Sequence, residues 1–511
     1  MTRILFITVD EQRYDALGAN GGRYASTPNL DRLAEAGLNY SRAYVNNVVC
    51  MPSRATMLTG QYPSTHGLTQ NGRDLPLDAP SFATHLKENG GFATALIGKS
   101  HLQPHVLDPS FGAPSENWET TAATRGDEGP YRGFDKVLLS SHGLGAIRNH
   151  YQAWLEAHHP EMVKLYMRQV GADGGLNLTP GGDTGGIQIH DNMIPTECYH
   201  SHWLADRTNE WIKERHADEN WFCWLSFGDP HHPFQPPYQE LGRVPWQEVD
   251  LPPGCPSDGD TLNRVLTSKP DHWRHYFEAS NYPATEIPRG FVPADMTHDQ
   301  IREINARVHV MNEVIDDAIG RVLAQLEALG QLEETHIFYC SDHGSMQGDV
   351  NMMFKGPFHV DSLMRVPLIW RPTASSGIAP QKIDDPVSMV DLAPTFSEIA
   401  DVPATSAMQG DVLPVQNGVR DSVFVEWDQR SPDAHIVIDT IVTRDYICSV
   451  YGQSQYYPEG TGELYDWRED PHQWWNLWDD PKMQSIRQDL QSQLDTLKPP
   501  KTEPGPLCGY A

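Results

Sequence analysis

The segment from Cys50 to Arg54, which reads CMPSR, offers the most specific chemistry in the sequence. Pro52 suits the first turn of a helix, because proline lacks the backbone N–H that would be unpaired there. Cys50 would then lie beside the exposed N–H groups of a helix N-terminus, which favour negative charge. An isolated cysteine is more commonly a buried, inert side chain. The whole segment, rather than Cys50 alone, therefore indicates a nucleophile.

Polar residues directly follow several short apolar runs that read as buried strands. The runs are Ile4 to Val9, Thr94 to Ile97, Trp221 to Phe227 and His336 to Cys340. The polar residues that follow them are Asp10, Lys99, His101, Asp229, His231, Asp342 and His343. In open α/β sheets, ligands bind beyond the carboxyl ends of the strands. We therefore expect these side chains to converge on one crevice.

Asp10 and Glu11, together with Asp342 and His343, indicate a site for a divalent metal ion. Two adjacent carboxylates alone are equally typical of a solvated loop, but acidic residues at the ends of two different predicted strands favour a shared ion. Oxygen-rich ligation suits Ca²⁺, Mg²⁺ or Mn²⁺, and an imidazole ligand from His343 slightly disfavours a site specific for Ca²⁺. Gln12 offers a neutral polar contact beside the acidic pair.

Strands and helices alternate along most of the chain. This alternation predicts an α/β fold, in which a large mixed, mostly parallel sheet is sandwiched by helices. Thr27 reads as the N-cap of an early helix, with Pro28 at its first position and Gly37 as its stop. The strongest helical spacing runs from Asp299 to Leu329, and Gly330 ends it.

We expect a catalytic domain over residues 1–405, a small C-terminal antiparallel-sheet domain over 406–497 and an extended tail over 498–511. The small domain is predicted from three strands and a closing helix: Ser422 to Trp427, His435 to Val442, Tyr446 to Tyr451 and Gln484 to Leu497. The proline-rich tail is expected to reach a neighbouring subunit of a homo-oligomer. A disordered end is the competing interpretation.

The formal net charge of -30, from 38 Lys and Arg against 68 Asp and Glu, disfavours binding to nucleic acid or to an anionic membrane. The 7 cysteines show neither CxxC pairs nor zinc-finger spacing, so no disulfide framework is indicated. The opening apolar run is too short for the core of a signal peptide, and no run approaches transmembrane length. These features predict a cytoplasmic protein.

The CMPSR segment resembles the signature of the sulfatase family, in which the cysteine of a C-x-P-S-R run is oxidised to formylglycine after synthesis. Sulfatases belong to the alkaline phosphatase-like superfamily, and the resemblance extends from Asp10 to the segment Glu463 to Leu477. It implies a formylglycine-dependent enzyme of arylsulfatase type with an alkaline phosphatase-like fold. A formylglycine-generating enzyme would convert Cys50 during maturation.

The resemblance also implies a metal site. Positions matching Asp10, Asp342 and His343 hold the ion together with the formylglycine, here derived from Cys50, and Glu11 is expected to complete the site. Many relatives have aspartate where Glu11 stands and asparagine where His343 stands. One divalent ion is expected, with Ca²⁺ ahead of Mg²⁺ or Mn²⁺.

Catalytic roles are implied for a set of residues: Cys50, Arg54, Lys99, His101, His231 and Lys355. Substrate binding is implied for four positions: Asn71, Lys99, His231 and Lys355. Arg54 would polarise the hydrated aldehyde, and Lys99 and Lys355 would balance the charge of the sulfate oxygens. His231 would protonate the leaving oxygen, and His101 would take a proton as the sulfated intermediate breaks down.

A hydrated aldehyde avoids the stable ester that a serine would form with sulfate, because its second hydroxyl expels sulfate by C–O cleavage. The predicted function is therefore hydrolysis of a small-molecule sulfate monoester. The nearer alternative is a phosphonate monoester or phosphodiester hydrolase, which shares His343 and Asn71 but has tyrosine and threonine where this chain has Lys99 and His101. A non-catalytic binding protein is a further alternative, disfavoured because the catalytic residues are all present.

The alcohol of the substrate is not encoded in these motifs. Long inserts from Gln103 to Pro195 and from Pro233 to Pro293 are expected to shape its pocket. Four aromatic residues could line that pocket or equally belong to the core: Trp118, Trp246, Trp273 and Tyr276.

Overall fold

The computed structural model describes residues 1–145, 147–168, 177–280, 286–287, 290–431 and 434–510. The strands are β1 (Arg3–Val9), β2 (Leu38–Tyr44), β3 (Ala93–Gly98), β4 (Val106–Leu107), β5 (Lys136–Leu139), β6 (Pro180–Gly181), β7 (Gly186–Ile187), β8 (Trp221–Ser226), β9 (Thr335–Ser341), β10 (Arg365–Arg371), β11 (Gln381–Ile383), β12 (Val387–Ser388), β13 (Ser422–Ser431), β14 (Ala434–Thr443), β15 (Tyr446–Tyr451), β16 (Gly462–Asp466) and β17 (Gly509–Tyr510). The helices are α1 (Pro28–Glu35), α2 (Cys50–Thr59), α3 (Pro63–His66), α4 (Phe82–Gly90), α5 (Trp118–Arg125), α6 (His150–His158), α7 (His200–Lys213), α8 (Gly259–Ser268), α9 (Asp271–Phe277), α10 (His298–Ala328), α11 (Asp361–Met364), α12 (Leu392–Ile399) and α13 (Gln484–Leu497).

The central sheet has the strand order β11-β2-β10-β9-β1-β8-β3-β5, with β12 beside β2. Strand β10 runs antiparallel to both of its neighbours, β2 and β9. The pairs β1–β9, β1–β8, β3–β8 and β3–β5 are parallel. The expected mixed, mostly parallel sheet is confirmed, and the carboxyl ends of β1, β3, β5, β8 and β9 lie along one edge.

Helices cover both faces of this sheet, as the continuous apolar runs predict. Alternate residues of β1 enter different cores: Ile4 and Phe6 pack in one hydrophobic cluster, and Leu5 and Ile7 pack in another. The second cluster includes residues of α7 and α10. Helix α10 begins after Thr297, whose side chain forms a capping box with Gln300. The long helix predicted from Asp299 is therefore present almost to its predicted bounds.

A separate four-stranded antiparallel sheet has the order β13-β14-β15-β16. Helix α13 covers it, and Leu490 and Leu494 pack in a cluster with Phe424, Ile441 and Leu464. The predicted strands lie within β13, β14 and β15, and the predicted closing helix matches α13. The bounds proposed for the domains stay predictions.

The chain from Thr502 onward lies against its own fold. The N–H groups of Thr502, Gly505 and Cys508 donate to carbonyl groups of Ser64, Gly67 and Gly72 at 2.8, 3.2 and 2.8 Å. Strand β17 then pairs with β4. The tail is therefore extended, as expected, and its contact with a neighbouring subunit stays a prediction. Among the described residues, no helix is both long and apolar enough to cross a membrane.

Gly98 ends β3 at the edge that carries the polar residues, and replacing it should disturb this edge. Its φ is +122°, and an added Cβ would lie 1.7 Å from the Ser226 carbonyl oxygen of β8. Gly91 is a matched control, because its φ is +64° and nothing lies within 4 Å of an added Cβ. We expect Gly91→Ala to cost about 1 kcal/mol of unfolding free energy and Gly98→Ala to cost clearly more. Urea unfolding measures both, and equal losses would contradict the close approach of β3 and β8.

Candidate active site

Four strand ends bring polar side chains to one buried crevice. Asp10 follows β1, Lys99 follows β3, His231 lies five residues after β8, and Asp342 follows β9. All four residues are buried. The order β9-β1-β8-β3 makes these strands consecutive in the sheet, so the convergence expected from the sequence follows from the topology.

Cys50 is the first residue of α2, and Val49 is its N-cap. The helix thus begins two residues before Pro52, which still falls in the first turn, where N–H groups are unpaired. The Cys50 Sγ lies 3.1 Å from His343 Nε2 and 3.6 Å from Asp10 Oδ1. Burial and the charge of Asp10 raise the pKa of the Cys50 thiol. Both effects favour the neutral thiol form of the unmodified cysteine, which is a weaker nucleophile than the thiolate.

The donor atoms of Asp10, Cys50, Asp342 and His343 all lie within 4.8 Å of one another. His343 Nε2 is 3.5 Å from Asp10 Oδ1 and 3.8 Å from Asp342 Oδ1. Burial favours a neutral Asp10, yet Lys99 and nearby residues hold the pKa of its carboxyl well below the usual range. A buried group of two carboxylates and one imidazole fits a divalent cation.

The Glu11 carboxylate lies outside this group, in a second group of possible ligands with His231 and His232, and its expected role as a metal ligand stays a prediction. Its Oε2 is 2.7 Å from Lys355 Nζ and 3.3 Å from His231 Nε2. Ser345 donates a hydrogen bond of 3.0 Å to its Oε1. The backbone of Glu11 is left-handed, with φ of 63°, and its side chain forms an ion pair with Lys355.

Arg54 connects the start of α2 to three strand ends. Its Nε donates to Asp342 Oδ2 at 2.7 Å, and its Nη1 donates to Ser226 Oγ at 2.8 Å and to the Lys99 carbonyl at 3.0 Å. Ser53 Oγ also donates to the Asp342 carbonyl, at 2.5 Å. Arg54 Nη2 is buried and has no hydrogen-bond partner among the described residues. It is a spare donor beside Cys50.

Lys99 directly follows β3, and Lys355 lies in the connection between β9 and α11; both reach the crevice. Lys99 Nζ forms an ion pair with Asp10, and Lys355 Nζ lies 3.1 Å from His231 Nε2. His231 Nδ1 donates to the His232 carbonyl at 2.6 Å. The geometry therefore places two ammonium groups and one imidazole beside the two acidic residues that follow β1.

A buried carboxylate holds the turn that carries His101. Glu119 accepts hydrogen bonds from Ser100 Oγ, the His101 N–H and the Leu102 N–H at 2.9, 3.1 and 3.0 Å. The His101 ring stacks on His105 with centroids 4.7 Å apart. Neither ring nitrogen of His101 has a hydrogen-bond partner among the described residues, so the structure leaves its expected proton-transfer role as a prediction.

Asn71 lies beside the start of α2. Its Oδ1 accepts from the Met51 N–H at 3.2 Å, and its Nδ2 donates to Glu286 Oε2 at 2.8 Å. Gln12 was expected to make a polar contact in the crevice, but its side chain bonds elsewhere. Its amide instead bonds to Asn312 and to the Tyr339 hydroxyl, at 2.7 Å each, so it faces helix α10.

Two residues of this region were not predicted from the sequence. His142 lies three residues after β5, and its Nε2 is 3.0 Å from Lys99 Nζ. The apolar run from Val137 to Leu139 ends before it, so the pattern of polar residues at strand ends could have found it. Glu286 lies in irregular structure and carries no comparable signal.

The four aromatic residues proposed for the pocket have different environments. Trp273 is fully buried against Phe358, with centroids 4.3 Å apart, and is a core residue. Trp118 stacks on Tyr131 at 4.2 Å. The Trp246 indole donates to Asp183 Oδ2 at 3.0 Å. Tyr276 contacts a candidate site residue, because its hydroxyl donates to the Lys355 carbonyl at 2.6 Å.

The central sheet and the separate antiparallel sheet form an alkaline phosphatase-like fold, and the buried polar group at the carboxyl edge of the central sheet is its candidate active site. The chain belongs to the sulfatase family, whose model matches residues 2–402. A second model, the C-terminal region of N-sulphoglucosamine sulphohydrolase, matches residues 349–499.

Similar proteins cover most of the chain. The uncharacterized sulfatase YidJ of Escherichia coli is 25% identical over 499 residues, which cover 96% of this chain and 86% of that protein. The arylsulfatase of Clostridium perfringens is 25% identical over 498 residues, with coverage of 93% and 89%. The structure of the phosphonate monoester hydrolase of Agrobacterium radiobacter has a TM-score of 0.75, 24% identity and 100% coverage of both chains. This last likeness supports the fold.

Removal of divalent ions should destabilise the protein, because the carboxylates of Asp10 and Asp342 would lose a shared cation. We expect addition of Ca²⁺, Mg²⁺ or Mn²⁺, at a concentration about a hundredfold above the Kd of the ion, to raise the free energy of unfolding by about 2.7 kcal/mol. Thermal unfolding after chelation and ion addition measures this gain. Asp342→Asn should abolish it, whereas Asp495→Asn on the exposed face of α13 should retain it. An unchanged melting temperature in the unaltered protein would refute the metal site.

Proposed function

We propose that this chain hydrolyses a sulfate monoester, with formylglycine derived from Cys50 as the nucleophile and one divalent ion as cofactor. The observation that carries the proposal is the contact of Cys50 with Asp10 and His343, next to Arg54. Asp10, Asp342, His343 and the modified residue would hold the ion, with Ca²⁺ as the first expectation. When bound, the ion would polarise an oxygen of the nucleophile and offset the buried carboxylates.

The charges around Cys50 support an anionic substrate. Three cationic side chains, Arg54, Lys99 and Lys355, face four carboxylates, Asp10, Glu11, Glu286 and Asp342. A bound divalent ion therefore leaves a positive excess in the buried crevice, even when all four carboxylates are ionised. Transferring an uncompensated charge into such a crevice is costly, and an anionic ester would remove this excess. A neutral carboxylic ester would leave this positive excess uncompensated, so the charges of the crevice do not favour such a substrate.

The side chains of the crevice have complementary tasks in this proposal. The spare Nη2 donor of Arg54 orients a hydroxyl of the hydrated nucleophile toward sulfur. Lys99 and Lys355 donate to the nonbridging oxygens, where charge develops. His231 Nε2 must first gain a proton, which the adjacent Lys355 ammonium can supply, and it then delivers this proton to the leaving oxygen. His101 accepts a proton when the sulfated intermediate breaks down and the aldehyde is restored.

Hydrolysis of a phosphonate monoester is the second candidate function. The fold of the Agrobacterium radiobacter enzyme and the presence of His343 and Asn71 favour it. Lys99 and His101 favour sulfate instead, because the phosphonate hydrolases have tyrosine and threonine at these positions. Both candidates use an anionic tetrahedral ester, so substrate kinetics must separate them.

The unaltered protein should hydrolyse 4-nitrophenyl sulfate with a higher kcat/KM than a phenylphosphonate monoester. Release of nitrophenol or phenol, measured across sulfate, phosphate and phosphonate esters, tests this order. Cys50→Ala should abolish all turnover, whereas Cys198→Ala should retain it, because the buried Cys198 thiol lies against His159 and outside the candidate metal group. A higher kcat/KM for the phosphonate monoester than for every sulfate ester would overturn the sulfatase assignment.

Lys99→Ala and His101→Ala should each lower kcat for sulfate esters by roughly a hundredfold, because each removes a donor or proton acceptor at the reacting group. The double variant Lys99→Tyr with His101→Thr should shift the ratio of kcat/KM toward phosphonate monoesters. Steady-state kinetics of both ester classes measure this shift. Equal losses for the two ester classes would argue against a role for these residues in substrate choice.

A further inference from the structure

His142 lies in the crevice at the carboxyl end of β5, next to the strand end that carries Lys99. Its side chain is buried, and its backbone is left-handed with φ of 49°. Gly228 packs closely against it, since an added Cβ at Gly228 would lie 2.6 Å from the His142 backbone nitrogen. The position of the imidazole is therefore constrained by the backbone of His142 itself and by the backbone of Gly228.

The two ring nitrogens of His142 have different partners. Nδ1 lies 3.0 Å from the Gly228 carbonyl oxygen, and Nε2 lies 3.0 Å from Lys99 Nζ. A carbonyl oxygen only accepts a hydrogen bond, so Nδ1 carries the proton and Nε2 presents a lone pair to the lysine. Lys99 Nζ has three N–H groups, and Asp10 accepts another of them. One N–H group remains for an oxygen of the substrate.

We propose that His142 is a positioning residue that fixes the Lys99 ammonium so that its remaining N–H group meets the substrate oxyanion. The inference deepens the proposed function and rests on it. Without the imidazole acceptor, the flexible lysine side chain would keep only its ion pair with Asp10. The ammonium could then rotate about that contact, and the donor geometry at the reacting group would be lost.

A metal ligand is the alternative role for this imidazole, because nitrogen atoms of His142 and His231 lie within 4.8 Å of an Asp10 oxygen. The ammonium of Lys99 argues against this role. It contacts both Asp10 and His142 Nε2, so it occupies the space and supplies the positive charge that a second cation would need. The geometry therefore favours a hydrogen bond between His142 and Lys99 over a second ion.

Two conservative variants separate the hydrogen bond to Lys99 from the packing against Gly228. An asparagine amide reaches about as far as Nδ1, so His142→Asn keeps a donor for Gly228 and removes the acceptor for Lys99. A glutamine amide reaches about as far as Nε2, so His142→Gln can offer its oxygen to Lys99. Because this variant removes a hydrogen bond to a charged group, we expect His142→Asn to lower kcat/KM about tenfold to a hundredfold.

His142→Gln should restore most of this loss, and melting temperatures should show that both variants are folded. A kcat/KM for His142→Asn equal to that of the unaltered enzyme would overturn the proposal. So would an equal loss in the asparagine and glutamine variants, because that result would indicate a role in packing alone.

A double-mutant cycle with Lys99→Ala tests whether His142 acts through the lysine. His142→Asn should have little further effect on kcat/KM when Lys99 is already alanine. The same loss in both backgrounds would show that His142 acts independently and would contradict the inference.

The dissociation constant of inorganic sulfate provides a readout that does not require turnover. It would be measured by calorimetry on the four proteins of the cycle, which are the unaltered protein, His142→Asn, Lys99→Ala and the double variant. His142→Asn should weaken sulfate binding only when Lys99 is present, and equal weakening in both backgrounds would contradict the inference. Absence of turnover on every ester would count against the proposed function, whereas the binding cycle would still decide the role of His142.

Discussion

The active centre depends on the burial of two neighbouring carboxylates, Asp10 and Asp342. They follow β1 and β9, which are adjacent and parallel, so the sheet places them together. Two buried negative charges are costly unless each has a partner. Lys99 contacts Asp10, and Arg54 contacts Asp342 at 2.7 Å. A divalent ion bound between the two carboxylates would further reduce the repulsion between their negative charges.

The same interactions fix the position of Cys50, the source of the proposed nucleophile. Helix α2 begins at Cys50, and its residues Ser53 and Arg54 both bond to Asp342. The helix start is therefore anchored to the strand end that supplies a candidate metal ligand. Arg54 also bonds to the Lys99 carbonyl, which ties the end of β3 to the same centre. Catalytic geometry and fold stability thus rest on shared contacts.

The sequence was most informative where local pattern and topology coincide. Buried parallel strands are continuous apolar runs, so β1, β8 and β9 and the polar residues that follow them could be predicted. The directions of individual side chains could not be predicted from this pattern. A left-handed backbone turns Glu11 toward Lys355. Strand β5 is only four residues long, and His142 was missed because that strand lies within a long insert.

The central claim is that turnover requires conversion of Cys50 to formylglycine. The most direct test measures the fraction of formylglycine at residue 50 by peptide mass spectrometry, in preparations made with different amounts of a formylglycine-generating enzyme. Turnover of 4-nitrophenyl sulfate per mole of protein should rise in proportion to that fraction and extrapolate to zero without it. Full turnover in a preparation whose residue 50 is unmodified cysteine would contradict the mechanism.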